Sequence, residues 1–285
     1  MIATAFEYAR ATSVEDALAK LSAAKGAGRF IAGGHSLVPV MKLRLSEPGV
    51  LIDIARIPGL AGIRQQGDAI DIGAATVHHD VASSALLRQA CPMLAETAAD
   101  IGDQQVRNRG TLGGSIAHAD PAADYPAAII ALDADVHIQG ESGSRSVKAS
   151  NFFRALFTVD LNPNEIITGI TFKPVKSAAY AKLHQRASHF AIVGVAAALQ
   201  VSGGTIQSAT IGLTGAQPHA TRLTAVEKAL AGKPASVDSI KAAAKDAGAG
   251  LDDLNADIHA SAEYRRAMVE VFTERALAAA LARVS

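Results

Sequence analysis

Two glycine pairs are the residues of this chain whose types and spacing point to chemistry. Gly33-Gly34 follows the short apolar run Phe30-Ile31-Ala32 and precedes His35-Ser36, while Gly113-Gly114 lies between Thr111-Leu112 and Ser115, with His118 just beyond. A pyrophosphate is strongly anionic, and backbone N–H groups reach it only where no Cβ stands between. A helix N-terminus behind such a turn adds further donors. Either pair alone is ordinary turn punctuation. Two pairs, each with hydroxyl neighbours and a following histidine, shift the reading toward a phosphate cradle. No G-x-G-x-x-G follows the first strand and no G-x-x-x-x-G-K-[ST] occurs, so a nucleotide here calls for a site that is neither Rossmann-like nor a P-loop.

Other reactive side chains carry weaker signals. His78-His79-Asp80 has metal-ligand residue types, but adjacent residues do not share a face of a helix or strand, and the segment reads as a solvated helix start. His118-Ala119-Asp120, next to the second pair, is better placed for hydrogen bonding near a bound group than for metal ligation. Arg107 and Arg109 either neutralise phosphate or sit solvated on the surface. Asp53, at the end of a strand, reads as a structural partner. The single cysteine, Cys91, excludes an intramolecular disulfide and a self-contained iron–sulfur cluster, and its apolar setting before Pro92 suggests a buried thiol.

The elements that must position these groups are legible in outline. Ser13 caps a helix with Glu15 and Asp16 in its first turn and Val14, Leu18 and Leu21 at helical spacing. Phe30–Ala32, Leu51–Ile54 and Ala69–Gly73 read as strands, and Thr76 opens a helical region that runs past Pro92 to about Ile101. Ala127–Leu132 reads as helix, and Val136–Ile138 and Ile166–Phe172 as strands. Beyond residue 178, Tyr180–His184, Ile192–Val201 and Ile206–Leu213 read as three strands, with Gly203-Gly204 turning between the last two. Arg222–Leu230, Val237–Ala247 and Glu263–Ala282 then read as helices, the last with a stripe of Tyr264, Met268, Val271 and Phe272 expected in the core or a subunit contact.

The chain has 285 residues, 49% hydrophobic and 19% charged, with Lys+Arg and Asp+Glu both 27. That length suggests two or three packed units. Neutral charge, 4% aromatics and no Trp argue against a nucleic-acid or anionic-membrane surface. The longest apolar stretch, Phe190–Leu199, is short of the roughly 20 residues a spanning helix needs. The opening residues lack a secretory pattern, so the cytoplasm is the expected compartment.

Ala32-Gly33-Gly34-His35-Ser36-Leu37-Val38-Pro39, Leu51-Ile52-Asp53-Ile54, and the long run from Arg107 to Pro126 that contains Thr111-Leu112-Gly113-Gly114-Ser115 resemble the FAD-binding medium subunit of the molybdenum hydroxylases, the carbon monoxide dehydrogenase and xanthine dehydrogenase family. The resemblance covers nearly the whole chain. It implies an α+β fold: an FAD domain of the vanillyl-alcohol-oxidase (PCMH) type over 1–176, with α/β subdomains of about 1–56 and 57–176, and a C-terminal antiparallel sheet with helices over 177–285. It assigns the FAD diphosphate to Ala32, Gly33, Gly34, His35, Ser36, Thr111, Leu112, Gly113, Gly114 and Ser115. Asp124 matches an acidic nucleotide contact, Ile101 an apolar one, Lys182 a contact near the flavin ring and Phe190 an aromatic lying against it; Ile167 is a weaker match. The second motif often ends in Asn where this chain has Ser115, which keeps a donor and an acceptor but shortens the reach.

The same resemblance implies a large molybdopterin subunit that hydroxylates substrate, a small subunit with two [2Fe–2S] clusters, and a dimer of such heterotrimers in which this chain delivers electrons to an external acceptor. Neither a catalytic base or nucleophile nor a metal ligand is expected on this chain. The alternatives are a self-sufficient flavin oxidase or reductase of related fold, and a scaffold subunit that has lost its flavin.

Overall fold

The computed structural model describes residues 2–284. Its first unit alternates strand and helix: β1 (Glu7–Arg10), α1 (Val14–Ala23), β2 (Gly28–Ile31), α2 (Leu37–Lys42) and β3 (Val50–Asp53). Helical crossovers permit parallel pairing, and the three strands form a parallel sheet in the order β1-β3-β2. Ser13 caps α1 by accepting from the Asp16 N–H at 3.1 Å, and Ala17, Leu18 and Leu21 turn inward. Asp53 is a structural partner, as its position suggested: Oδ2 accepts from the Tyr8 hydroxyl at 2.5 Å and Oδ1 from the Ala55 N–H at 2.8 Å. Because β2 lies at the sheet edge, the chain leaves it at Ala32 with no neighbouring strand on its open side.

The second unit begins with β4 (Ile63–Gln66) and β5 (Ala69–Gly73). The helical region expected over 76–101 is three helices, α3 (His78–Ser83), α4 (Ala85–Ala90) and α5 (Pro92–Ala99). Ser84 interrupts the first two by capping α4, and Pro92, which lacks an N–H, starts α5. Cys91 between them is buried, and burial pushes its thiol up to about 12. Then come α6 (Gln104–Arg107), α7 (Leu112–His118), α8 (Tyr125–Ala131), β6 (Asp135–Gly140), β7 (Gly143–Lys148), α9 (Ala149–Phe152), the ribbon β8 (Phe153–Ala155) and β9 (Thr158–Val159), and β10 (Glu165–Phe172). The large sheet has the order β4-β5-β10-β6-β7 and is antiparallel throughout, unlike the first.

The third unit is β11 (Ala178–His184), β12 (Ala191–Ser202), β13 (Thr205–Thr214), β14 (Thr221–Arg222), α10 (Thr224–Leu230), α11 (Val237–Ala244) and α12 (Ala262–Leu281). The strands form an antiparallel sheet in chain order, with Gly203 and Gly204 both left-handed in the β12–β13 turn. Along β12, Val193, Val195, Ala197 and Leu199 face α12 and its neighbours, whereas Ala196 and Ala198 join the core of the second unit. Alanine on that face lets α8, all of whose residues are buried, lie close against the sheet. A Cβ on Gly212 would stand 2.9 Å from the Ala127 carbonyl carbon, so a glycine is required there. On α12 the buried face is Arg265, Val269, Phe272, Ala276 and Leu277; Tyr264, expected in the apolar stripe, is exposed.

Strands that hydropathy patterning does not reveal lie mostly at edges. β1 (EYAR), β4 (IRQQ), β7 (GSRSVK) and β14 each border a sheet on one side only. Edge strands bury less and carry charge that discourages further pairing, so the apolar alternation is missing from their sequences.

Candidate functional site

The first glycine pair continues from β2 into α2. Gly34 has φ +74°, a left-handed conformation that side chains rarely adopt. The chain therefore doubles back at this point. Val38 N–H donates to the Gly34 carbonyl at 2.9 Å and starts α2. The backbone N–H groups of Gly33, Gly34, His35, Ser36 and Leu37 find no acceptor among the described residues. Five consecutive open donors in a concave turn form an anion-binding nest.

The second pair is different and corrects the expectation of a turn: Gly113 and Gly114 lie in the first turn of α7, which Thr111 caps. Its N–H groups are already engaged. Leu112 N–H donates to the Thr76 carbonyl, Gly113 to Ala74, Gly114 to Thr111 Oγ1 at 3.1 Å and Ser115 to the Thr111 carbonyl. A Cβ on Gly113 would lie 2.8 Å from the Ala74 carbonyl oxygen, and one on Gly33 would lie 2.7 Å from the Arg109 carbonyl carbon and 2.9 Å from Gly110 Cα. Gly33 and Gly113 are thus glycines so that backbones can interlock. Gly33 joins the first motif directly to the segment leading into the second. Gly114 is the exception: an added Cβ there meets Thr111 Oγ1 alone, at 2.8 Å.

Between the two motifs lies a cavity of about 650 Å³. Of the residues expected to contact the cofactor, Ala32, Gly33, Gly34, His35, Ser36, Ile101, Thr111, Gly113, Gly114, Ser115, Asp124, Ile167 and Phe190 line it. Leu112 and Lys182 do not. The Leu112 side chain is fully buried in the core beneath α7. Lys182 stands one layer behind the wall, its Nζ 2.9 Å from Asp124 Oδ1 and 2.9 Å from the Asp100 carbonyl oxygen. The Tyr180 hydroxyl donates to the same Asp124 oxygen at 2.6 Å. Burial pushes the Asp124 carboxyl up to about 6 against the pull of the Lys182 ammonium and these hydrogen bonds.

The C-terminal unit holds this wall in place. Thr214 Oγ1 lies 2.8 and 2.7 Å from the Pro121 and Ala123 carbonyl oxygens and shares its one proton between them, and the Gly215 and Ala191 N–H groups donate to Pro121 and Ala122. Ile166 and Ile167 of β10 both line the wall, just before a bulge at Thr168. His118, its ring centroid 5.2 Å from that of Phe157, lines the cavity together with Asp120. Arg107 and Arg109 do not line it; Arg107 instead donates to the Ile101 and Gly102 carbonyls at 3.0 and 2.9 Å. The guanidinium groups are therefore not where a bound phosphate would lie, and the backbone nest is.

His78 is the site residue that sequence patterning missed. His79 and Asp80 are solvated, as a helix start suggests, but His78 is 5% exposed, lines the cavity and packs edge-on against Tyr125 with ring centroids 5.2 Å apart. Its Nδ1 has no partner among the described residues. Burial, with His35 and Arg107 nearby, pulls its pKa down to about 4, so the ring is neutral at pH 7. The signal that could have found it is the bridge between Val77 and Thr111, which draws α3 beside the second motif and is not local in sequence.

An FAD fits these residues. The volume is that of a cofactor pocket, the nest suits a diphosphate, and apolar Ile101, Ile166, Ile167 and Phe190 suit aromatic rings. Comparison with known proteins agrees. Residues 4–174 match the family described as the FAD binding domain in molybdopterin dehydrogenase, and residues 178–280 the CO dehydrogenase flavoprotein C-terminal domain. The chain is 41% identical to the carbon monoxide dehydrogenase medium chain of Hydrogenophaga pseudoflava over 99% of both chains. It is 36% identical to the glyceraldehyde dehydrogenase medium chain of Sulfolobus acidocaldarius, covering 95% of this chain and 96% of that one. A solved carbon monoxide dehydrogenase from Hydrogenophaga pseudoflava, lacking the Mo-pyranopterin moiety, superposes with TM-score 0.96 and 42% identity over all of both chains.

Proposed function

Because the chain belongs to the family of FAD-binding medium subunits of the molybdenum hydroxylases, we propose that it holds one FAD between its two glycine motifs and relays electrons from an iron–sulfur partner to an external acceptor. The observation that carries the cofactor assignment is the run of open backbone donors from Gly33 to Leu37 on the cavity wall. In this reading the nest holds the diphosphate, and the hydroxyls of Ser36, Thr111 and Ser115 add contacts. Asp124 meets the nucleotide directly, Lys182 acts through Asp124, and Phe190, half exposed at the rim, lies against the ring system. Ile101 and Ile167 supply apolar contact. Residues 1–176 form the FAD-binding part and 177–285 the C-terminal domain that fixes the wall behind Asp124.

The flavin supplies the redox chemistry when bound; this chain's residues position it, limit water and set its electrostatics. One cysteine cannot ligate an iron–sulfur cluster, so a cluster that feeds this flavin lies on another chain. The partners in this reading are a large molybdopterin subunit and a small [2Fe–2S] subunit, two copies of each joined with two of this chain; that the relatives are medium chains of carbon monoxide and glyceraldehyde dehydrogenases supports a complex with other subunits. Among the described residues no helix is long and apolar enough to cross a membrane, and we place the complex in the cytoplasm. Purification of the chain from its native source tests this. Co-elution with a molybdopterin subunit and an iron–sulfur subunit, and bleaching of the flavin when the complex meets its substrate, are expected. A solitary chain that oxidises a small alcohol or amine by itself would overturn the proposal.

A further inference from the structure

Behind the cavity wall, five polar side chains adjoin one another in a line that ends at the surface. Tyr180 OH and Lys182 Nζ both donate to Asp124 Oδ1, at 2.6 and 2.9 Å, and Asp124 Oδ2 receives no donor among the described residues. Lys182, whose side chain is wholly buried, also lies 3.6 Å from Asp100 Oδ2. Asp100 Oδ1 is 2.7 Å from His184 Nε2, and that imidazole is 40% exposed. The line therefore joins a cavity-lining carboxyl to a surface histidine through side chains contributed by α8's N-terminus, β11 and the end of α5. A stable fold does not require it. A buried ion pair with this desolvation cost is commonly no better for stability than apolar packing.

Full reduction of a flavin consumes protons as well as electrons, and a carboxyl on the cavity wall is placed to supply one. The geometry points to a proton relay from His184 through Asp100 and Lys182 to Asp124, which delivers to the FAD cavity the proton that flavin reduction consumes. It rests on the flavin reading above. The atoms balance as follows. Lys182 passes an N–H proton along its 2.9 Å bond to the Asp124 carboxylate and becomes an amine. Protonated His184 passes a proton to the Asp100 carboxylate along their 2.7 Å contact and is reprotonated by water, and Asp100 hands that proton to the amine across the 3.6 Å gap, the one step that must shorten. The electrons arrive separately, from the iron–sulfur partner.

The charged and titratable groups around Asp124 are Lys182 and Tyr180 from β11, Asp100 from the end of α5, and the Tyr125 hydroxyl next to it on α8. His184 faces Asp100 and, with ring centroids 6.1 Å apart, His189. Burial holds the Asp124 carboxyl near neutrality, at about 6, where it can both take up and release a proton.

His184→Asn is the informative variant, because its surface position spares the fold, whereas Lys182→Met would strand Asp124 without its buried partner. The FAD-loaded protein, with whatever subunits purify with it, is photoreduced, and proton uptake is followed with a pH-indicator dye beside the flavin absorbance. The variant is expected to take up protons about 100-fold more slowly, and added imidazole to restore the rate. Unchanged uptake, or slow uptake that imidazole does not restore, overturns the relay. In the flavin-free chain, infrared titration should reveal a carboxyl of midpoint about 6 that Asp124→Asn removes and His184→Asn leaves in place; its absence from the unmodified chain also overturns the relay. Failure to hold FAD at all refutes the cofactor reading instead, so the two failures are separable.

Discussion

Replacing Gly33 by alanine should separate the two halves of the cradle without unfolding the chain. The added methyl would coincide with the Arg109 carbonyl, 2.7 Å from its carbon and 2.9 Å from Gly110 Cα, where ordinary contact begins at 3.4 Å. Both obstacles are backbone, and Gly110 is itself pinned, since its carbonyl accepts from the His78 N–H at 2.9 Å and its Cα abuts the His78 ring. The first motif must therefore retreat by about 1 Å, or the site must hold strain of about 2 kcal/mol. If FAD binding has to pull the motifs together again, that strain lowers affinity about 30-fold. Gly114→Ala is the control, because its methyl meets the far end of the Thr111 side chain and disturbs a cap worth about 1 kcal/mol. Equilibrium dialysis with FAD, alongside far-ultraviolet circular dichroism, gives the comparison. FAD affinity in Gly33→Ala equal to that of the unmodified chain, or a larger loss in Gly114→Ala than in Gly33→Ala, would refute the interlocking account.

Three other outcomes follow from the same contacts. His78 is held neutral with its pKa lowered from 6.5 to about 4, so its contribution to stability is present above pH 6.5 and is lost as pH falls through 4; that displacement corresponds to about 3 kcal/mol. Urea unfolding of His78→Phe should lose correspondingly less stability across this range than the unmodified chain, and parallel pH curves would contradict the assignment. Gly212→Ala drives a methyl into the Ala127 backbone and should cost about 1–3 kcal/mol of thermal stability by lifting α8 from the C-terminal sheet, an effect that calorimetry would detect. Ser115→Ala should retain FAD with affinity reduced by no more than about tenfold, one neutral hydrogen bond's worth, and complete loss in a fluorescence titration would give Ser115 a larger role.

The elements of the interior were legible because their sequences carry the apolar residues that burial demands: α1 and β5 bury one face at their own period, and β10, β12 and β13 are buried over most of their length, β12 as a near-continuous apolar run. The edge strands β1, β4 and β7 were not, because an edge has little to bury. The site followed the same division. The first glycine pair could be read as an anion turn from local sequence, since the strand before it and the left-handed Gly34 are local facts. The second pair could not be read correctly from its own residues. Its two N–H groups are taken by Ala74 and Thr111, and Ala74 lies on a distant segment, as does Thr76, which accepts from the neighbouring Leu112 N–H. The burial of His78 against Tyr125, and the approach of Lys182 to Asp100 and Asp124, likewise depend on contacts between separate units.

The central claim is that a dinucleotide, rather than a lone flavin ring, is held by its diphosphate at the nest of Gly33–Leu37. The direct measurement is a titration of the flavin-free chain with FAD and, in parallel, with FMN, which lacks the adenylate and the diphosphate, following quenching of flavin fluorescence. The account predicts saturation at one FAD per chain and much weaker binding of FMN. Equal affinity for the two, or no saturable binding of FAD, would contradict it.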